Sequence, residues 1–257
     1  MSSMAIIKDR LKEWSVIDDN NETRLPEFIA EYESDARAGV QKLVETAKKR
    51  IDALEQEKAR ISALQEFERK YSDYDFICGI DEVGRGPFAG PVVAGAVILP
   101  KECNILYIND SKQVSEKMRN QLYDVIREKA VAFAVGHASP QRIDEINILQ
   151  ATYEAMREAI SKLDPAPTLL LNDAVNIPGV TLPQVPIIKG DAKSISIGAA
   201  SILAKVTRDR EMVEYDKQYP EYGFAKHVGY GTAEHIAAIQ KYGPCPIHRR
   251  TFIKNFV

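Results

Sequence analysis

Cysteine is scarce in this chain: Cys78, Cys103 and Cys245 lie far apart, with no Cys-x-x-Cys pair. An odd, scattered set argues against a disulfide framework and against a zinc knuckle, and a reducing cytoplasm is the expected compartment. Long apolar runs are missing as well. None approaches the roughly 18 residues that a membrane-spanning helix needs. The opening MSSMAIIKDRLKEW also lacks the unbroken apolar stretch of a secretory signal, so no membrane partner is expected. Positive charge is not in excess: 34 Lys and Arg stand against 37 Asp and Glu, a net charge of −3. That balance excludes a packaging protein that coats nucleic acid by bulk charge. There is no GxxxxGK[ST] phosphate loop, no internal repeat and no low-complexity tract. What is present is ordinary for a globular protein: 45% hydrophobic and 28% charged residues in 257.

The chain divides near Tyr71. Residues 1–70 hold no Cys, one Gly and one Pro, with 13 Lys and Arg against 15 Asp and Glu. Val40, Val44, Ala47, Ile51, Leu54, Ile61 and Leu64 recur at steps that keep one stripe on one side of a helix, and Lys58 interrupts it. The spacing predicts an N-terminal helical extension over 1–70, with shorter helices before one long one. The extension packs on the main domain, grips nucleic acid or a partner, or forms a dimer coil. From 71 to 257 the pattern changes. Strands are predicted within YSDYDFICGID, GPVVAGAVILP, VAFAVGHAS, TLLLND and QVPIIKGD. Helices are predicted over 115–130, from Pro140 to Leu163, from about Ala192 to Asp216 and around Thr232–Lys241, with Ser115 as an N-cap. Three strands in quick succession, then strands alternating with helices, imply an α/β domain with a mixed sheet covered by helices.

Acids fall at the ends of apolar runs. One strand ends in Asp81–Glu82, LLLN ends in Asp173, and PIIKG ends in Asp191. Carboxylates gathered at neighbouring strand ends would repel and bind protons unless a cation joins them. Oxygen donors with no Cys or His nearby favour a hard ion, Mg²⁺ or Mn²⁺. Acids after strands also serve as helix caps and turn residues, and spacing alone leaves that alternative open. Adjacent residues of a regular strand point to opposite faces, so Asp81 and Glu82 reach one site only if the chain leaves strand geometry at about Glu82.

Two further features point to phosphate. Gly84-Arg85-Gly86 lets backbone amides approach a ligand and adds a guanidinium fork, although a tight turn with an exposed Arg is the plainer reading. Ser111, Lys112, Lys189, Lys193, Lys205, Arg208, Lys226 and His227 are a scatter of cations and hydroxyls. From Pro186 to Val257 there are 11 Lys and Arg against 7 Asp and Glu, a local excess that fits backbone contact with a duplex. Tyr230, between two glycines in HVGYGT, is expected to be exposed and able to stack on a sugar or base, or else to pack as a core tyrosine. Ser201 and Lys205 do not match the SxxK spacing of a nucleophile pair.

GIDEVGRGPFAGPVVAGAVIL, NDSK, LLLNDAV, IIKGDAKSISIGAASILAKVTRDR and HVGYGT, in this order, closely resemble the bacterial ribonuclease HII family from about Phe76 to the C-terminus. The ribonuclease HIII sister family lacks the Gly-Arg-Gly tripeptide. The resemblance implies a ribonuclease H-like mixed five-stranded sheet flanked by helices. It implies an endonuclease that acts on RNA in RNA–DNA hybrids and cuts 5′ of single ribonucleotides in duplex DNA, leaving 5′-phosphate and 3′-hydroxyl ends. It carries metal ligation to Asp81, Glu82, Asp173 and Asp191, with two Mg²⁺ or Mn²⁺ ions when substrate is bound. Junction sensing falls to Gly84, Arg85 and Gly86, stacking to Tyr230, and phosphate contact to Ser111 and Lys112. Replication or repair proteins are implied as partners of a monomer. Two positions depart from the family pattern: Ala174 stands where Gly is frequent, and Gln113 where a second Lys is frequent. The competing readings are another metal-dependent DNA nuclease on the same fold, and a non-catalytic hybrid-binding module.

Overall fold

The structure is a computed structural model that describes residues 2–257. The chain forms two compact units, Met1–Ala63 with Asn104–Tyr107, and Leu64–Cys103 with Ile108–Val257.

The first unit is helical: α1 (Met4–Trp14), α2 (Leu25–Tyr32) and α3 (Ala38–Leu64), which runs one residue past it. Ser3 caps α1 by accepting from the Ile6 amide, and Pro26 occupies the first turn of α2, where no intrahelical donor is lost. The first half of the α3 stripe, Val40, Val44 and Ala47, is buried against Ile7 and Leu11 of α1 and Leu25, Phe28 and Tyr32 of α2. Each Val, Leu, Ile or Phe among them contributes roughly 1.5–3 kcal/mol when fully buried. This part of the stripe is satisfied inside the chain, so a dimer coil has no apolar seam to use there. Lys58, which interrupts the pattern, pairs with Glu22 at 2.9 Å and Glu55 at 3.1 Å.

The second unit is built on five strands in the order β3-β2-β1-β4-β5. These are β1 (Ile77–Val83), β2 (Val92–Ile98), β3 (Ala132–Ala138), β4 (Leu169–Asp173) and β5 (Gln184–Ile187). β1, β2 and β3 pair antiparallel, while β1–β4 and β4–β5 are parallel. The sheet is thus mixed, as expected. Two long helices, α6 (Pro140–Ser161) and α7 (Ile195–Gln218), cover opposite faces. Cys78, Ile80 and Leu170 join Ala151, Ala155 and Met156 of α6 in one core, while Ile77, Leu169 and Leu171 pack with Ile197 of α7 in the other. The remaining helices are α4 (Glu66–Lys70), α5 (Glu116–Lys129), α8 (Phe224–His227) and α9 (Ala233–Tyr242). Among the described residues no helix is long and apolar enough to cross a membrane.

The small residues of α7 have a packing reason. A Cβ on Gly79 would lie 2.1 Å from the Ser196 carbonyl carbon, and one on Gly95 would lie 2.4 Å from the Ala200 oxygen. The helix therefore rests on the sheet backbone at the strand that carries Asp81. Its start is pinned by Glu68 of α4, whose carboxylate accepts from Ser194 Oγ at 2.5 Å and the Ser196 amide at 3.1 Å. A carboxylate at a helix N-terminus is favoured by the unpaired amides and the helix dipole.

One helix departs from its expected continuity. α6 breaks at Asn147, which has φ 69°. The Asn147 side chain accepts from the Leu149 and Gln150 amides, so it caps a second helical segment.

Candidate active site

Two of the expected carboxylates, Asp81 and Asp173, fall at the C-terminal ends of the neighbouring strands β1 and β4. The parallel register pairs Ile80 with Asn172, which sets Asp81 beside Asp173. Both have the parity of Ile77, Leu169 and Leu171 and so belong to the α7 face. Asp173 Oδ1 accepts from the Gly190 amide at 2.7 Å, which ties β4 to the turn that carries Asp191. Asp191 lies in a short 3-10 turn, Gly190–Ala192, just before α7.

The strand does not end at Glu82, as the geometry of adjacent side chains had suggested. β1 continues to Val83, with Asp81 opposite Gly95, Glu82 opposite Ala94 and Val83 opposite Val93. The chain turns only at Gly84, whose φ of 86° suits glycine. Glu82 keeps its strand position, yet its longer side chain shares the electrostatic neighbourhood of Asp81 and Asp173.

Charge repulsion is visible in the acid strengths. Burial, and then the neighbouring Glu82, push the Asp81 carboxyl well above the usual carboxylate range, while a hydrogen bond with Ser201 works the other way. Burial also raises Glu82, which Arg85 partly offsets. Arg85 Nη1 donates to Glu82 Oε1 at 3.1 Å. Asp191 is raised by burial, then by Asp110 and Asp173. Asp110 is an additional acid that the strand-end pattern did not single out.

Among the described residues, no three His, Cys, Asp or Glu side chains are drawn together tightly enough to enclose a metal ion unaided. The donor set nonetheless fits a hard divalent cation. All four candidates offer oxygen only, and three of them carry raised proton affinity from burial and from one another. A cation relieves that repulsion as a proton does.

The Gly84–Gly86 loop is held from beneath by two buried arginines. Arg249 donates from Nη2 to the Gly84 carbonyl at 2.5 Å, from Nη1 to the Arg85 carbonyl at 2.8 Å, and to the Gly90 carbonyl from Nε and Nη2 at 3.0 and 2.8 Å. Arg208 donates to the carbonyls of Pro91, Val228 and Ala89 at 2.9, 2.9 and 3.0 Å. The carbonyls of Gly84 and Arg85 are thus engaged by the protein. Arg208 and His227 leave the basic surface on which the sequence had placed them. Both are buried, because each satisfies backbone groups of the loops around the site.

The other expected residues are distributed as follows. Arg85 and Lys112 are exposed, and Tyr230 is 45% exposed, which answers the core alternative for that ring. A Cβ on Gly86 would lie 3.7 Å from the Tyr230 ring, so ring and loop are neighbours. Ser111 is buried, and its hydroxyl lies 2.9 Å from Ser201 Oγ, at hydrogen-bond distance. Ser201 thereby links the Ser111 loop to Asp81. Asp110, Arg249 and Glu68 were not singled out by the sequence, and Ser201 was weighed there only as half of a nucleophile pair with Lys205 and set aside.

Ala174, after Asp173, has φ 56°, a left-handed conformation in which glycine is at ease and alanine is not. Its amide donates to the Ile187 carbonyl at 3.0 Å, which holds the residue in place.

The ribonuclease HII family model matches residues 78–255, and the ribonuclease HII N-terminal domain model matches residues 3–72. The chain belongs to the ribonuclease HII family. Members are ribonuclease H enzymes, divalent-metal-dependent endonucleases that act on the RNA of RNA–DNA hybrids. A relative named Ribonuclease HII from Lachnoclostridium phytofermentans is 66% identical over 224 residues, covering 87% of this chain and 88% of its own. Among solved structures, the ribonuclease H2 of Pyrococcus horikoshii OT3 matches with a TM-score of 0.59 at 28% identity, over 70% of this chain and 96% of its own. The RNase HII in the PCNA:RNase HII complex of Archaeoglobus fulgidus matches with a TM-score of 0.57 at 26% identity, over 68% and 93%.

Proposed function

We propose that this ribonuclease HII family member cuts 5′ of a ribonucleotide both within continuous RNA–DNA hybrids and at single ribonucleotides in duplex DNA. In this reading Asp81, Glu82, Asp173 and Asp191 hold two Mg²⁺ or Mn²⁺ ions when substrate is bound. The observation that carries it is the strand register, which sets Asp81 beside Asp173 while the Gly190 amide joins Asp173 to the Asp191 turn.

When bound, the cations supply positive charge against the scissile phosphate and acidify water near neutral pH. The chain supplies position. Ser201 orients Asp81 by hydrogen bonding, the Gly190 amide fixes one oxygen of Asp173, and Arg85 balances the charge of Glu82. In the hydrolysis the oxygen of water bonds to phosphorus and the bond from phosphorus to the 3′ oxygen breaks. A water proton is released and the leaving oxygen takes one up, giving 5′-phosphate and 3′-hydroxyl ends.

Selectivity requires a reader of the 2′-hydroxyl, the group that separates RNA from DNA. Gly84, Arg85 and Gly86 lie at the end of β1, with the exposed Tyr230 ring beside Gly86. In this reading the loop's backbone reads the 2′-hydroxyl and Tyr230 stacks at the RNA-to-DNA junction. Lys112, near Asp191, contributes to phosphate contact, with Ser111 as the buried anchor of its loop. The Archaeoglobus fulgidus enzyme is known in a complex with PCNA, and by that likeness a replication or repair protein is the partner class to test by co-elution.

Two otherwise identical duplexes, one all DNA and one with a single ribonucleotide, test the reading. Cutting only 5′ of the ribonucleotide, and only with Mg²⁺ or Mn²⁺ supplied, is the expected result. Equal cutting of both duplexes replaces it with a general DNA nuclease, and no cutting of either leaves a binding module.

A further inference from the structure

Three of the four histidines gather behind Tyr230, outside the carboxylate site. His235, in the first turn of α9, is fully buried, and His248 is 2% exposed. His227 stacks on His235 with ring centroids 4.5 Å apart and planes at 18°. The contacts form a directed path. His235 Nδ1 lies 2.9 Å from the Tyr230 carbonyl, His235 Nε2 lies 3.0 Å from His248 Nε2, and His248 Nδ1 accepts from the Cys245 amide at 3.0 Å.

Proton placement along this path follows from valence alone. A carbonyl only accepts, so His235 Nδ1 carries a hydrogen. The two facing Nε2 atoms form a hydrogen bond only if one of them carries a hydrogen and the other is bare. The Cys245 amide only donates, so His248 Nδ1 is bare and its hydrogen sits on Nε2. His235 Nε2 is then the bare acceptor. Both imidazoles are neutral in this arrangement, in agreement with the low proton affinity that burial gives each of them. Every bond points the same way, from the Cys245 amide through two rings to the Tyr230 carbonyl.

The Tyr230 segment needs such an anchor. Val228 and Gly229 both have positive φ, 45° and 86°. A Cβ on Gly229 would lie 2.4 Å from the Ala89 oxygen, and one on Gly231 would lie 2.2 Å from the Phe88 ring. Besides His235, the Tyr230 carbonyl accepts from the Thr232 amide at 2.8 Å. His227 serves the same turn, with Nδ1 accepting from the Gly229 amide at 3.2 Å and Nε2 donating to the Tyr222 carbonyl at 2.8 Å.

We propose that His235 and His248 are positioning residues for Tyr230: their one-directional hydrogen-bond chain fixes the backbone that presents the ring beside Gly86, and so sets discrimination for a single ribonucleotide without touching substrate. This rests on the reading of Tyr230 as the junction-stacking residue. A continuous hybrid offers no RNA-to-DNA junction at interior sites, so loosening the chain affects the single-ribonucleotide duplex selectively. A displaced stacking group costs rate steeply.

The test compares kcat/KM on a duplex with one ribonucleotide and on a continuous hybrid, for the full-length chain. His235→Leu removes the donor to Tyr230, while His235→Asn keeps an amide donor near the Nδ1 position. His235→Leu is expected to lower the single-ribonucleotide to hybrid ratio about tenfold. His235→Asn is expected to recover most of it, and His248→Leu to fall between them. In a Tyr230→Ala background, His235→Leu should add nothing to the ratio. If Tyr230→Ala alone leaves the ratio at the wild-type value, the junction reading fails. If Tyr230→Ala moves the ratio and His235→Leu does not, or if the two effects multiply, the positioning chain fails while the junction reading stands. Nitrogen-15 spectra of the wild-type imidazoles give a measurement independent of variant folding. Hydrogen on Nδ1 of His235 and Nε2 of His248 supports the chain, and any other tautomer pair overturns it.

Discussion

Replacing Arg249 tests whether the loop at the site is held by a fork of donors or merely by a buried charge. The guanidinium is fully buried and reaches three carbonyls, those of Gly84, Arg85 and Gly90. Gly84 and Gly90 are themselves buried, whereas Arg85 is exposed and its carbonyl can be rehydrated when the fork is gone. Leaving two buried carbonyls without this donor costs about 1–3 kcal/mol each. Removing a desolvated cation returns part of that, because burial and the nearby Arg208 already lower the Arg249 pKa to about 9. Arg249→Met is therefore expected to lose about 2–4 kcal/mol in urea unfolding. Arg249→Lys keeps a charge but brings one compact ammonium to a site shaped for a planar fork, so it should lose nearly as much. Both variants should also lose cleavage of ribonucleotide-containing duplex beyond the loss of folded protein, since the Gly84–Gly86 loop is no longer held. A Lys variant within about 0.5 kcal/mol of wild type, cutting at the wild-type rate, would refute the fork argument and leave only charge.

Three other predictions concern charge and backbone. Asp81→Asn removes a carboxylate whose folded pKa is raised, so the unfolded chain ionises it more readily and stability falls as pH rises through the interval above its ordinary value. At pH 7 without metal, the variant should melt higher than wild type by thermal denaturation while losing cleavage. A lower melting temperature would contradict the repulsion described here. His235 and His248 have the opposite linkage: burial lowers both to about 4 from an ordinary value near 6.5. Their unfolded forms bind more protons between pH 6.5 and 4, so the stability they carry is complete above pH 6.5 and is lost as pH falls to 4. The scale is on the order of 3 kcal/mol for one such ring. Urea unfolding at pH 7 and pH 5 should show wild type losing more stability than His235→Asn, and equal losses would contradict the assignment. Ala174→Gly relieves a left-handed alanine at about 1–2 kcal/mol. It also adds unfolded-state freedom worth about 0.4–1 kcal/mol. A net gain near 0.5 kcal/mol is expected by urea unfolding, and a loss of that size would place the strain elsewhere.

The elements legible in the sequence were those whose local pattern agrees with their burial. β2, apolar at every position, is buried at every position. Ser115 caps α5 by accepting from the Met118 amide, as its place before a helical pattern suggested. The strand-end acids could be picked out because carboxylates are conspicuous after apolar runs. Their approach was harder to foresee, since it depends on a parallel register between strands about 90 residues apart. Parity also misled: the turn expected at Glu82 comes at Gly84, because the β1–β2 ladder holds as far as Val83. Arg208, Arg249 and Glu68 were illegible for a different reason. Charged residues are usually solvated, and nothing in a local window marks the few that reach buried backbone groups from distant segments. The histidines behind Tyr230 fall in the same class, because His227 ends α8, His235 lies in the first turn of α9 and His248 lies beyond both helices, so no single element brings them together.

In the proposed function, Asp81, Glu82, Asp173 and Asp191 together hold divalent cations against a bound duplex. Anomalous diffraction from crystals of the Asp81→Asn protein and of wild type, each grown with Mn²⁺ and a duplex carrying one non-cleavable ribonucleotide, tests it most directly. Wild-type crystals should show Mn²⁺ peaks bounded by oxygens of these four residues and the scissile phosphate, with the peak contacting residue 81 weakened in the variant. Peaks elsewhere, or none with the duplex in place, would contradict the account.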